Sequence, residues 1–181
     1  MNWKQEIKLT DTIQLKKIEE QTDKEILKRE LGILKDKQIE LFLGFDEEIE
    51  KEIEIILKKI KDDKSYVYYM IYEKGEFVGI FYLYDMKPEY HRANISLGIV
   101  PEKRGHILSI KIVEELIKEL FQAGLIRIGV EIEDTNEKSL KMIKHLEKIG
   151  FQYEGKLRDN YGEGIHSNIW SLLKKEFKQI V

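Results

Sequence analysis

The sequence predicts an α+β protein: a mixed, mostly antiparallel sheet of six to seven strands flanked by about four helices. Three observations predict it. Apolar residues recur at helical spacing in four long segments. Between and after these segments lie short runs rich in aromatic and β-branched residues, the composition of strands. One strand–helix–strand run in the second half has the length of a crossover, so its two strands should lie parallel.

The elements follow in order. "TIQLKKI" (12–18) alternates and predicts a first strand. "TDKEILKRELGIL" predicts a helix, with Thr22 or Asp23 as the cap and Ile26, Leu27, Leu31 and Leu34 along one face. "DEEIEKEIEIILKKIKDD" predicts a second helix that Asp46 would cap. Acids crowd its first turn and lysines its last, as the helix dipole favours. Ile49, Ile53, Ile56, Leu57 and Ile60 form its buried stripe, and the charges between them read as a solvated face. "SYVYYMIY" (65–72) and "FVGIFYLYD" (77–85) predict a hairpin with Gly75 at its bend. "HRANISLGIV" (91–100) is the next strand, antiparallel to its predecessor. A helix to about Ala123 follows, its face Ile110, Val113, Leu116, Ile117, Leu120 and Phe121, and Gly124 ends it. "LIRIGVEIE" (125–133) completes the crossover. "DTNEKSLKMIKHLEKIG" is a helix closed by Gly150. "FQYEGKLRD" and "IHSNIWSLL" form a closing hairpin, whose edge suits a monomer or a homodimer. No repeat or linker divides the chain, so a single domain is expected over residues 1–181.

Composition excludes several classes. Lys and Arg number 31 against 34 Asp and Glu, a net charge of −3, so nothing draws the whole chain onto nucleic acid or an anionic membrane. There is no cysteine for a disulfide or a thiolate metal site, which fits a cytoplasmic protein. The four histidines, at 91, 106, 145 and 166, show no paired spacing, so no metal centre is expected. The first residues lack the apolar core of a signal peptide, and no apolar run nears the ~20 residues of a membrane helix.

One stretch carries chemistry. "VPEKRGHILSIKIVEELIKE" (100–119) turns from a strand through Lys103, Arg104 and Gly105 into a helix. The first N–H groups of a helix are unpaired and sit at its positive end, which suits a phosphate. The stretch also falls where an antiparallel half meets a parallel crossover, a point that ligands favour.

The segments "RANISLGIVPEKRG", "EDTNEKSLKMIKHLEKIGFQYEGKLRD" and "GIHSNIWSLLKKEF" resemble the GNAT superfamily of acetyl-CoA-dependent N-acetyltransferases. Within it they are similar to the ribosomal-protein N-terminal acetyltransferase (RimJ/RimL-like) branch. The likeness runs from about residue 66 to the end. Over the first 60 residues only the element order matches.

The resemblance implies acetyl-CoA in a splay between strands 91–100 and 125–133. Main-chain groups of Ile99 and Val100 would pair with the pantetheine arm. The pyrophosphate would rest on Arg104, Gly105, His106, Ile107, Leu108 and Ser109. Asn136 would touch the cofactor or bridge strands, and a backbone N–H near Leu97 to Ile99 would meet the oxyanion. Two glycine positions of the family's loop fall on Ile107 and Ser109, and a β-branched Ile107 resists positive φ. The family's tyrosine acid falls on Leu146, so Ser139 becomes the candidate proton donor. Glu131, with Glu133 on the same face of its strand, is the candidate base. Tyr82, Tyr84, Tyr90, Tyr153 and Tyr161 form an aromatic set, mostly sheet packing, of which one or two would line the substrate mouth. The implied reaction is acetyl transfer to a primary amine, of a protein N-terminus or a small molecule, by direct attack in a ternary complex. The alternative is a GNAT-like acyl-CoA-binding or scaffold protein with little turnover.

Overall fold

A computed structural model describes residues 3–36, 48–103, 107–134 and 137–178. Eight strands follow the order β1-β2-β3-β4-β5-β6-β8-β7 in one mixed sheet, and four helices accompany them. By residue contacts the chain divides into two compact units, one of residues up to Met86 with Ser96–Ile112, the other of Lys87–Ile95 with Val113 onward.

The first unit holds β1 (Glu6–Lys8), β2 (Ile13–Lys17), α1 (Lys24–Asp36), α2 (Ile49–Asp62), β3 (Val67–Glu73) and β4 (Glu76–Lys87). β1 to β4 pair antiparallel in sequence order. β1 is the strand that raises the sheet to eight. It has three residues with a single apolar side chain, Ile7, too short to show a period. Asp23 accepts a hydrogen bond from the Glu25 amide at 2.8 Å and so caps α1. α2 starts at Ile49 with Glu48 in the cap position and no side-chain cap bond, whereas the expected cap, Asp46, lies outside the described residues. Ile53 and Ile56 are buried as expected, and so is Glu52, which belongs to the charge run read as a solvated face. Lys74 and Gly75 both have positive φ, 52° and 85°, which gives the two-residue turn whose twist matches a hairpin.

The second unit holds β6 (Arg127–Glu133), α4 (Glu137–Lys148), β7 (Gln152–Gly162) and β8 (Ile165–Leu173). β5 (Arg92–Ile99) and α3 (Ile107–Gln122) each run through both ranges. β5 pairs parallel with β6 over Arg92–Asn94 and Arg127–Gly129, as the crossover requires. β8 lies antiparallel between β6 and β7, which leaves β7 exposed along nearly its whole length at the edge. Val113, Leu116, Ile117, Leu120 and Phe121 of α3 are buried as expected. Ile112 is buried too, while Ile110 is only half-buried. Gly150, with φ 113°, closes α4, and the Phe151 amide returns to the Leu146 carbonyl at 3.0 Å. Among the described residues, no helix is long and apolar enough to cross a membrane.

Candidate active site

The strand-to-helix turn is built from main-chain bonds. At the end of β5, the Val100 amide donates to the Val78 carbonyl at 3.0 Å. The Val100 carbonyl accepts from the Lys103 amide at 2.9 Å, closing a 3-10 turn over Pro101–Lys103. Ile99 and Val100 are buried, and both main-chain groups of Val100 are engaged inside the protein. Lys103 donates its ammonium to Glu73 Oε2 at 2.5 Å. That bond holds Lys103 above the usual lysine range and ties the turn to the end of β3. The charge of Lys103 is thereby committed to a partner within the chain.

α3 begins at Ile107, so Ile107, Leu108 and Ser109 form its first turn, where N–H groups have no intrahelical acceptor. Helical backbone has negative φ, so the β-branched Ile107 meets no conformational obstacle there. Arg104, Gly105, His106 and Asn136 lie outside the described residues. So do the side chains of Ile107, Leu108, Ser109 and Ser139, the last placed within α4. Leu146, at the family's tyrosine position, is 5% exposed and packed in the core.

Glu131 lies on β6, half-buried, opposite Ile169 of β8. Its carboxylate accepts a hydrogen bond from the Asn160 side-chain amide of β7. Just past β6, Asp134 accepts from the His166 amide at 3.2 Å and pairs with Lys156 at 2.9 Å. The Lys156 hydrogen bond, ahead of the others, holds the Asp134 carboxyl below its ordinary range. Asp134 thus staples the end of β6 to β7 and β8. Sequence reasoning did not single it out, because Lys156 and His166 stand far from it in the chain.

A second cluster lies on β3 and β4. Their register sets Tyr68 opposite Tyr82, with ring centroids 5.4 Å apart. Tyr66 stacks on Tyr68 at 6.0 Å and Tyr84 lies 5.8 Å from Tyr82. Burial raises the Tyr82 hydroxyl's pKa, and a hydrogen bond with the Ser96 side chain of β5 partly offsets this. Tyr90, Tyr153 and Tyr161 are exposed. Of the five tyrosines named from sequence, only Tyr82 and Tyr84 join this cluster. Glu52 of α2 is buried, and helical spacing could have found it: it stands three residues after Ile49 and four before Ile56, on the inward face of the helix.

Solved structures share this fold. A probable acetyltransferase is 23% identical with a TM-score of 0.75, covering 95% of this chain and 98% of its own. A spermidine N-acetyltransferase SpeG chimera from Vibrio cholerae and hSSAT is 17% identical with a TM-score of 0.72, covering 91% and 97%. RimL, the ribosomal L7/L12 alpha-N-protein acetyltransferase, is 14% identical with a TM-score of 0.70, covering 93% and 97%. No curated protein matches the sequence. Identities this low speak for the fold alone, but the family model described as the acetyltransferase (GNAT) domain matches residues 7–168, and the chain belongs to that family.

Proposed function

We propose that the protein transfers an acetyl group from acetyl-CoA to a primary amine, by direct attack in a ternary complex. The family match over residues 7–168 is the observation that carries this reading. The end of β5 supports it, because a sixteen-residue helix opens at Ile107, past the buried strand end at Ile99 and the 3-10 turn over Pro101–Lys103. When bound, acetyl-CoA supplies an acetyl group activated as a thioester, which a neutral amine displaces from the thiol. The chain holds no cysteine to take the acetyl group first.

The residues take the following parts. Arg104 to Ser109 hold the pyrophosphate at the start of α3, and Asn136 supports the cofactor. The end of β5 at Ile99 and Val100 positions the pantetheine arm. With Val100 bonded to Val78 and Lys103, the arm's hydrogen bonds shift to neighbouring residues of β5. Glu131, held in place by Asn160, receives the amine's proton, and Ser139 returns a proton to the thiol. The acceptor is an amine of a protein N-terminus, as in the RimJ/RimL-like branch, or of a small molecule, and the reaction takes place in the cytoplasm.

Thermal unfolding with and without acetyl-CoA tests the reading. A ligand at ~100 times its Kd adds about 2.7 kcal/mol of stability. Absence of any shift at millimolar acetyl-CoA refutes cofactor binding. A shift with no CoA released across an amine and peptide panel favours the acyl-CoA-binding scaffold instead. The burial of Leu146, with no hydroxyl at the family's acid position, is what speaks for that second reading.

A further inference from the structure

Side chains set the tip of the closing hairpin where its ladder breaks. Leu157 pairs with Ser167 and Gly162 with Ile165, so Arg158, Asp159, Asn160 and Tyr161 of β7 all stand opposite one residue of β8, His166. Regular rungs cannot place several residues against one. His166 itself is fixed. Its amide donates to Asp134 Oδ1 at 3.2 Å, and its carbonyl accepts from the Asp134 amide at 3.0 Å. Its ring reaches across to β7, where Nδ1 accepts the Asp159 amide at 2.9 Å. Asp159 needs this hold, because its φ of 54° lies in the left-handed region that residues other than glycine seldom adopt. The Asp159 carboxylate accepts the Gly164 amide at 2.9 Å and so closes the turn from the other side. The next residue, Asn160, donates its side-chain amide to Glu131 of β6. Two adjacent residues thus join the imidazole to the carboxylate that the proposed mechanism uses as its base.

We infer that His166 is a positioning residue that makes Glu131 responsive to pH: its neutral ring clasps the Asp159 amide, which seats Asn160 on the Glu131 carboxylate, and protonation of the ring opens the clasp. The inference rests on the reading of Glu131 as the base of acetyl transfer. A ring nitrogen that accepts a main-chain N–H carries no proton, so the neutral ring holds its proton on Nε2. Once Nδ1 is protonated it can only donate, and the Asp159 N–H that faces it loses its acceptor. The charged ring has another partner, since Asp159 Oδ1 stands 3.4 Å from Nδ1. That oxygen is the one the Gly164 amide uses, so both bonds that hold the left-handed residue are disturbed together. Among the described residues, the other charges about the ring are Asp134 at the end of β6, paired with Lys156 of β7 at 2.9 Å, and the exposed Arg158 and Glu163 of the hairpin. Glu133 pairs with Ser167, one residue on, and so points to the other face of the sheet. The side chains of 135–142 lie outside the described residues.

Nuclear magnetic resonance of the nitrogen-15-labelled protein tests the clasp, with pH taken from about 8 to about 5.5, across the range in which imidazoles titrate. The Asp159 amide and the Asn160 side-chain amide should shift together with the His166 ring. His166→Asn offers a carbonyl oxygen near the position of Nδ1 and does not titrate, so both resonances should stay in place. Asn160 signals that ignore the ring overturn the inference. CoA release from acetyl-CoA reads the consequence, with the fastest acceptor among n-butylamine, benzylamine and a tripeptide with a free α-amino group. At about pH 8, His166→Leu should lower kcat about tenfold with the acetyl-CoA KM unchanged, and His166→Asn should stay within about twofold of the parent. At about pH 5.5 the parent should fall about tenfold below His166→Asn, a ratio in which protonation of the amine substrate cancels. Asn160→Ala, at an exposed position, should reproduce the His166→Leu loss and replaces that variant if it does not fold. A ratio of parent to His166→Asn that is flat with pH overturns the switch. Unchanged kcat in Glu131→Gln overturns Glu131 as the base, and the positioning role with it, even where the resonances show the clasp. No CoA release by the parent with any of the three amines overturns acetyl transfer in the same way.

Discussion

Gly79 on β4 faces the backbone of β5 with no room for a methyl group. A Cβ built there overlaps the Gly98 carbonyl oxygen and stands 3.1 Å from the Ile99 Cα and 3.2 Å from the Gly98 carbonyl carbon. The φ of Gly79 lies outside the left-handed region, so Gly79→Ala tests space and not backbone freedom. All three neighbours are main-chain atoms, so no rotamer change relieves the overlap and β5 itself must move. Overpacking of this kind costs about 1–3 kcal/mol. Moving β5 also strains the bond from the Val100 amide to the Val78 carbonyl, and a hydrogen bond contributes about 1 kcal/mol. The sum is about 3 kcal/mol, or a Tm lowered by roughly 6–12 °C for a chain of this size. Gly32→Ala is the matched control. Gly32 lies inside α1 with nothing within 4 Å of its added Cβ, so alanine there should stabilise by about 0.5–1 kcal/mol. Thermal denaturation followed by far-ultraviolet circular dichroism reads both. If Gly79→Ala melts within about 2 °C of the parent, the close approach of β4 and β5 at this point is wrong.

Two further outcomes are expected. Gly150→Ala combines a φ of 113° with contact on the Glu176 main chain, and should cost about 2–3 kcal/mol. Gly124→Ala has a similar φ of 107° and open space, so it should cost only the backbone strain of about 1 kcal/mol; equal losses would show that the Glu176 contact is irrelevant. Asp134→Asn should lower Tm at neutral pH and match the parent in strong acid. The Asp134 carboxyl sits below its ordinary 3.8 in the folded protein, so its contribution is present above that value and fades as pH falls through the folded-state pKa. A Tm difference that stays constant into strong acid would refute the clasp with Lys156.

The fold was legible because its long elements repeat strong local signals. α3 shows its apolar period over four turns, and the β3–β4 hairpin is marked by aromatic runs around Lys74 and Gly75. β1 was not legible, because three residues with one apolar side chain hold no period, and only pairing with β2 makes them a strand. Glu52 was misassigned for a different reason. A charged residue inside an acidic run is usually solvated. Its burial is a tertiary property of the face that α2 turns inward, which the acidic run around it masks. Asp134 shows the same limit, since Lys156 and His166 meet it only after β7 and β8 fold back.

The turn at 100–109 shows how pairing changes a reading made from residue types. Sequence places two adjacent cations, Lys103 and Arg104, at the turn, of which Arg104 is the expected phosphate contact. The structure pairs Lys103 with Glu73. Breaking that pair would leave a half-buried carboxylate without its cation, so Lys103 is better suited to fixing the turn than to meeting a phosphate. Ile107 changes in the opposite direction. Read as a replaced glycine it is an obstacle, because positive φ suits no β-branched residue. Placed as the first residue of α3 it needs only the negative φ that isoleucine adopts readily, and its amide joins the unpaired donors of the first turn. The missing glycine is therefore no obstacle at position 107, because the start of α3 sets the backbone there.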